Sequence, residues 1–307
     1  MNLTHWMRKE NSGLAYTTLE LVEEEERQGH GIRVHEPSQP EAILSKFDGP
    51  PDLHLIHSQL GMGAYHDGIP KVMWMHGEPL GSVANGMSMR AIVNLAPSVE
   101  AFICMRQEEW PIWNSIKRTY LVPKGIDLIR FTPVDGVEKL SGNPAILYYE
   151  NWRGERNPLI LCRALVEVVK RFPEAHLHLY NCPGGKMLDT FLGLSNHCRW
   201  YTFLKTIHGK EDDVVTLLNR ADIVVSCLDP LYARGIEAFG CGKAFIGPGY
   251  REHDYPWTCD LEVHSMADAI IRCWSDYGRI NYRQWAEQHH DVAKTVRQSL
   301  EVYQRFL

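Results

Sequence analysis

Two histidines end apolar runs in the first half of this 307-residue chain, His57 after Leu53–Ile56 and His76 after Lys71–Met75. A strand-end imidazole can hydrogen-bond a sugar hydroxyl or serve in acid–base work. Either one alone reads equally as a structural histidine. Two at successive strand ends, aimed at one cleft with Glu78 close behind, favour chemistry. In the second half, Asp229 and Glu237 flank Arg234 and Gly235. One carboxylate can hold hydroxyls of a sugar and the other those of a ribose, with Arg234 and backbone amides left for phosphate. Upstream, Glu150–Pro158 carries Arg153 and Arg156 just before a helix start. Two guanidinium groups and a helix dipole suit a diphosphate, and a solvated turn is the alternative. Gly13, at the start of the first helix, lets backbone approach a phosphate; a plain turn explains it too.

These residues need elements to position them. Short apolar runs alternate with helical periodicity, the pattern of α/β proteins. Strands are predicted at Leu3–Met7, Ile32–Val34, Leu53–His57, Lys71–His76, Ala101–Met105 and Thr119–Val122. A second set follows at Ala145–Tyr149, His176–Tyr180, Trp200–Leu204, Ile223–Cys227 and Lys243–Ile246. Helices are predicted at Leu14–Gln28, Pro40–Phe47, Pro158–Phe172, Asp212–Asn219, Gly235–Cys241 and over the last thirty residues. The acidic run Glu23–Glu26 reads as a solvated helix face rather than a metal site. The polar stretch Asp135–Asn143 reads as the linker between two Rossmann-like domains facing a cleft, 1–138 and 139–307.

Composition narrows the function classes. The net charge is −6, with 12 basic against 17 acidic residues through Asp135 and 20 against 21 after it. Neither half carries the basic footprint of a sequence-independent polyanion binder, so a nucleic-acid partner is disfavoured. No apolar run approaches the ~20 residues of a membrane span, and no signal peptide is visible. Eight scattered cysteines without a C-x-x-C pair read as reduced, buried residues of a cytoplasmic protein. No metal site and no cofactor is expected.

At these residues the chain resembles the retaining GT-B glycosyltransferases, particularly glycosyltransferase family 4. Ser12-Gly13-Leu14 and Gln28-Gly29-His30-Gly31 look like the family's glycine loop, first helix and second strand. Asp52–His57 looks like its D-x-x-H-x-H strand, with Leu55 at the first histidine. Lys71–Gly77 looks like the following T-x-H-G strand. Val122-Pro-Lys-Gly-Ile-Asp127, with Phe131 and Pro133, looks like I-P-N-G-V-D-x-x-x-F-x-P. Ala221-Asp222, Glu237-Ala238 and Cys241-Gly242-Lys243 look like A-D … E-A-x-A-C-G-K-P. The ordered set spans nearly the whole chain.

The resemblance implies a retaining hexosyl or pentosyl transfer from a nucleotide-diphosphate sugar, of UDP or GDP type, to a hydroxyl acceptor. The donor would bind the carboxyl-terminal domain and the acceptor the amino-terminal one, with the last helix packing back on the latter. Glu237 would hold the ribose and Asp229, first acid of the family's E-x7-E, the donor sugar. His57 would contact the sugar near the reacting centre, Gly13 would approach the diphosphate, and Leu204 lies where members contact the base. His76 and Glu78 would face acceptor or sugar. The family's basic pair, R-x5-K, aligns with Asn151 and Asn157, leaving Arg153, Arg156 or Arg234 to supply the charge. Two alternatives stay open: a catalytically degenerate GT-B partner subunit, and a transferase acting on a modified nucleic-acid base.

Overall fold

The computed structural model describes residues 1–7, 13–36, 42–57, 67–76, 89–149, 159–180, 201–203, 212–227, 233–248 and 255–307. The chain forms two compact units, Met1–Asp127 with His290–Leu307, and Leu128–His289.

In the first unit the described strands are β1 (Asn2–Trp6), β2 (Gly31–His35), β3 (Ala42–Ser45), β4 (Leu53–Ile56), β5 (Lys71–Met75), β6 (Ala101–Cys104) and β7 (Thr119–Leu121). They form one sheet in the order β3-β2-β1-β4-β5-β6-β7. Its ladders are parallel except β2–β3. Parallel strands are covered on both faces, which is why these runs are almost continuously apolar. Alternation sorts them. Leu3, Leu55, Val72, Trp74 and Ile103 share one cluster with Val296 and Tyr303 of the C-terminal helix (Val292–Tyr303) and Leu21 and Val22 of α1 (Gly13–Arg27). Trp6, Ile56, Met73, Met75 and Phe102 share the other, with Ile92 of α2 (Met89–Leu95) and Trp113 of α3 (Trp110–Ile116).

Of the helix predicted at Pro40–Phe47, the described residues 42–47 are not helical. Ala42–Ser45 is the antiparallel edge strand β3, pairing Leu44 with Val34 and Ser45 with Arg33. The Arg33 guanidinium donates to Ser45 Oγ and to the carbonyls of Phe47 and Gly49, at 3.2, 3.0 and 3.1 Å. A short apolar run has no decisive period of its own, and the neighbouring strand decides it.

The second unit has the described strands β8 (Ala145–Tyr148), β9 (His176–Leu179), β10 (Tyr201–Phe203), β11 (Ile223–Val225), β12 (Ala244–Pro248) and β13 (Thr258–Cys259). They are parallel, in the order β10-β9-β8-β11-β12-β13. The described helices are α4 (Leu159–Arg171), α5 (Asp212–Arg220), α6 (Ala233–Gly240), α7 (Val263–Ser275) and α8 (Tyr282–His289).

The chain passes from the first unit to the second at Asp127/Leu128, not at 138/139. Polar composition suggests a free linker over Asp135–Asn143, but Arg220 Nε donates to Glu138 O, Leu140 N–H donates to Arg220 O and Asn143 N–H to Glu174 O, and the residues leading into this segment are held as well. Asn219 accepts from Val134 N–H at 2.9 Å and donates to Thr132 O at 3.0 Å. Arg283 donates to the carbonyls of Leu128, Phe131 and Gly240. Lys139 pairs with buried Asp222 at 2.7 Å.

The last helix belongs to the first unit. Asp291 caps it by accepting from Ala293 N–H at 2.9 Å, the usual role of an N-cap carboxylate. The outgoing and returning segments form a parallel bridge: Ile126 N–H donates to His290 O, and Val292 N–H to Ile126 O. Gly125 permits this approach, because a Cβ there would lie 2.5 Å from Val292 Cα and N. We expect Gly125→Ala to cost about 1–3 kcal/mol, as overpacking does. An unchanged calorimetric melting temperature would show that the backbone yields.

Candidate functional site

Strand ends β1, β4 and β5 bring three histidines into one line. His5 lies in β1, and His57 and His76 directly follow β4 and β5. His5 stands opposite Leu55 in the ladder, and Ile56 opposite Met73. Each histidine is therefore two residues further along than the residue opposite its predecessor. A period of two puts all three on one face of the sheet. His5 Nδ1 is 3.0 Å from His57 Nε2, and His57 Nδ1 is 3.0 Å from His76 Nε2. His5 and His57 are fully buried and His76 is half-buried.

The line ends inward on a carboxylate. Glu25 of α1 is fully buried, with Oε2 2.7 Å from His5 Nε2. The solvated-face reading of Glu23–Glu26 thus fails for half the run. Glu23 and Glu26 are exposed, but Glu24 is buried against Arg27 and Gln28, and Glu25 against His5. Trp74 stacks on His57 at 5.9 Å and donates its indole N–H to Tyr303 Oη at 3.0 Å. Burial, and then the Glu25 charge, push the Tyr303 hydroxyl well above the ordinary phenol range. Lys124, largely buried, donates to Thr17 Oγ1 at 2.7 Å.

Burial, reinforced by the His5 and His76 rings, holds His57 well below the ordinary imidazole range. Burial and the Lys124 charge bring His76 down to about 3. Burial first also lowers His30, His35, His54, His176 and His178. The unfolded chain binds protons near pH 6.5 that these folded sites refuse. Stability is undiminished above about pH 6.5 and falls as pH drops below it, by up to roughly 1.4 kcal/mol per pH unit for each of His57 and His76, whose shifts are large, and by less for the other rings. The urea midpoint should fall steadily from pH 7 to pH 5. A flat midpoint would show that folding does not suppress protonation of these rings.

In the second unit Glu237 lies on α6, half-buried. Tyr149, which follows β8 and is 2% exposed, donates its hydroxyl to Glu237 Oε2 at 2.7 Å. Gly235 precedes it by half a turn, where a Cβ would meet the Phe245 ring at 2.7 Å. Close helix–strand packing therefore requires glycine at this position whatever else it does.

Of the predicted residues, the structure brings together His57 and His76. His57 has both ring nitrogens engaged by other histidines, so His76 is the outer member of the line. Gly13 opens α1. Arg234 and Gly235 lie on α6 with Glu237. Glu78, Asn151, Arg153, Arg156, Leu204 and Asp229 lie outside the described residues. The sequence reading missed His5, Glu25 and Tyr149. The available signal was a third histidine in a predicted strand, His5 in Leu3–Met7. Among the described residues no group of three or more His, Cys, Asp or Glu side chains could hold a metal ion. No described helix is long and apolar enough to cross a membrane. Cys104, Cys162, Cys227, Cys241, Cys259 and Cys273 are free and buried.

No family model and no curated protein matches the chain. Solved structures do match over its whole length. A sucrose-phosphate synthase from Thermosynechococcus elongatus is 14% identical, with 99% of this chain and 98% of that one covered and a TM-score of 0.74. Anabaena HepE in complex with UDP-glucose is 15% identical over 99% and 100%, with a TM-score of 0.73. A glycosyltransferase from Rickettsia africae is 12% identical over 99% and 98%, with a TM-score of 0.71. Together with the two parallel sheets, these likenesses show the GT-B fold of two Rossmann-like domains.

Proposed function

We propose that the protein is a retaining glycosyltransferase of the family 4 type, moving a sugar from a nucleotide-diphosphate donor to a hydroxyl acceptor in the cytoplasm. The observation that carries this reading is Glu237. It is a half-buried carboxylate fixed by Tyr149, at the position resembling the second acid of the family's E-x7-E. HepE, which shares the fold over its full length, was solved with UDP-glucose. In this reading the second unit holds the donor. Glu237 takes the ribose, Asp229 the sugar, Leu204 the base, and Gly13 with Arg153, Arg156 or Arg234 the diphosphate. The first unit holds the acceptor, with His76 and Glu78 beside it and His57 acting through His76. Free, buried cysteines fit a reducing compartment.

A panel of UDP-, GDP- and ADP-sugars tests this. At least one should raise the melting temperature and yield a glycosylated or hydrolysed product by mass spectrometry. No shift with any donor would sink the proposal. The replacement of the family's basic pair by Asn151 and Asn157 favours one second reading, a non-catalytic partner subunit. Measurable transfer, or donor hydrolysis, would eliminate it.

A further inference from the structure

Trp74 lies on β5 two residues before His76, and a strand period of two puts both on the face that the C-terminal helix covers. Its indole stacks on the His57 ring at 5.9 Å, with 17° between the planes, and on the His76 ring at 6.2 Å, with 23°. These two imidazoles also meet each other, His57 Nδ1 lying 3.0 Å from His76 Nε2. A hydrogen bond tolerates about 30° of misalignment. That contact therefore fixes one point on each ring and leaves the tilt of its plane open. The indole face sets the tilt of both rings at once.

The indole plane needs its own determinant. The outer torsion of a tryptophan is broad and roughly two-fold, and apolar neighbours discriminate weakly between its orientations. One polar contact does discriminate. Trp74 Nε1–H donates to Tyr303 Oη at 3.0 Å, and both side chains are fully buried. Turned over, the indole would bury its N–H unmet, which costs more than the bond itself contributes. Burial above all keeps the Tyr303 hydroxyl protonated far beyond neutral pH, so it stays a neutral acceptor. Tyr303 in turn sits on a helix that is firmly held. Asp291 caps the helix, Thr295 Oγ1 donates to Pro123 O at 2.8 Å, and Val292, Val296 and Leu300 join the same apolar cluster as Trp74. A contact made from a rigid element transmits its geometry better than one made from a loop.

We propose that Tyr303 is a positioning residue for sugar transfer, fixing the planes of His57 and His76 through the Trp74 indole. The proposal rests on the transferase reading given above, in which His76 stands beside the acceptor and His57 acts through it. Tyr303 is fully buried and acts only through Trp74, 229 residues away in sequence. It belongs to the segment His290–Leu307, which re-enters the first unit after the second. The geometry of histidines in the amino-terminal half is thus set by a side chain that the chain supplies only after the whole second unit.

Tyr303→Phe in the intact protein tests this, first without any donor. Ring-carbon NMR of the histidines reads the ring current of Trp74. The His57 and His76 resonances should both move in the variant, while those of His54, whose aromatic neighbour is Trp6 on the opposite face, should stay. Unmoved His57 and His76 resonances would overturn the proposal, and with no donor present that result leaves the transferase reading intact. In the transfer assay kcat should fall about ten- to a hundredfold, as a small misplacement does, with the KM for donor unchanged. An unchanged kcat would reduce Tyr303 to a brace between helix and sheet. The double variant Trp74→Phe, Tyr303→Phe removes both polar partners together and serves also if the single variant fails to fold. Its melting temperature should return toward wild type, since no buried N–H is left unmet, while kcat stays low because the ring planes remain unpinned. Recovery of kcat along with the melting temperature would overturn the positioning role. No turnover by the wild-type protein would count against the transferase reading and, through it, against this role.

Discussion

Replacing Glu237 by alanine is expected to remove nearly all of the melting-temperature rise that a nucleotide-diphosphate sugar gives the intact protein. A ligand at a hundred times its Kd stabilises by about 2.7 kcal/mol, or roughly 5–10 °C for a protein of this size. Hydrogen bonds from ribose hydroxyls to a carboxylate are worth about 1.5–3 kcal/mol each. Losing the carboxylate therefore weakens binding by roughly a hundredfold, and at the same ligand concentration only about 1 °C of the shift survives. Tyr149→Phe is the sharper control. It leaves the carboxylate in place and deletes the hydroxyl that orients it at 2.7 Å. Its expected cost is about tenfold in donor Kd. Titration by isothermal calorimetry measures both. Equal Kd values in wild type and Glu237→Ala would remove Glu237 from the donor site and the main support for the proposed function with it.

His5→Leu is expected to be the most destabilising single change in the first unit. Glu25 and His5 are both fully buried and 2.7 Å apart. Removing one member of a buried pair strands the other charge, at about 3–5 kcal/mol. That is a large fraction of the ~5–15 kcal/mol that holds a typical protein folded, and corresponds to a melting-temperature loss of roughly 6–20 °C. The double variant His5→Leu, Glu25→Leu should recover much of this loss, since apolar replacement of a whole buried pair is often neutral or better. A double-mutant cycle by urea unfolding measures the coupling. Additive effects would mean that Glu25 finds its compensation elsewhere, with Tyr303 the nearest candidate.

The sequence revealed elements more readily than their partners. The strand-end histidines were visible because Leu53–Ile56 and Lys71–Met75 are apolar runs that stop abruptly at an imidazole. Glu25 was not visible, since four successive glutamates look solvated whatever they touch. Helical rotation of about 100° per residue turns Glu24 and Glu25 inward while Glu23 and Glu26 face water. The reason for burying Glu25 is His5, on a strand beneath the helix, and no local pattern encodes that pairing. Tyr149 was hidden in the same way, as one more residue at the end of an apolar strand. The assigned linker failed because polarity was read as freedom, whereas Arg220 and Glu174 bind that stretch through its backbone at Glu138, Leu140 and Asn143. Ala42–Ser45 failed because an edge strand takes its conformation from its neighbour.

The bridge between Ile126 and Asp291 has a consequence for how the protein is made. A chain emerging from the ribosome at about 5–20 residues per second folds domain by domain as each is completed. Here the sheet of the first unit emerges early, yet Val296 and Tyr303, which seal its face over Trp74, are synthesised only after the whole second unit. The second unit, continuous from Leu128 to His289, is complete before the first can close. The nascent amino-terminal half must therefore wait with its histidine-bearing face uncovered. Polypeptides stalled before residue 290 should bind chaperones through that face, and release should coincide with the arrival of the final helix.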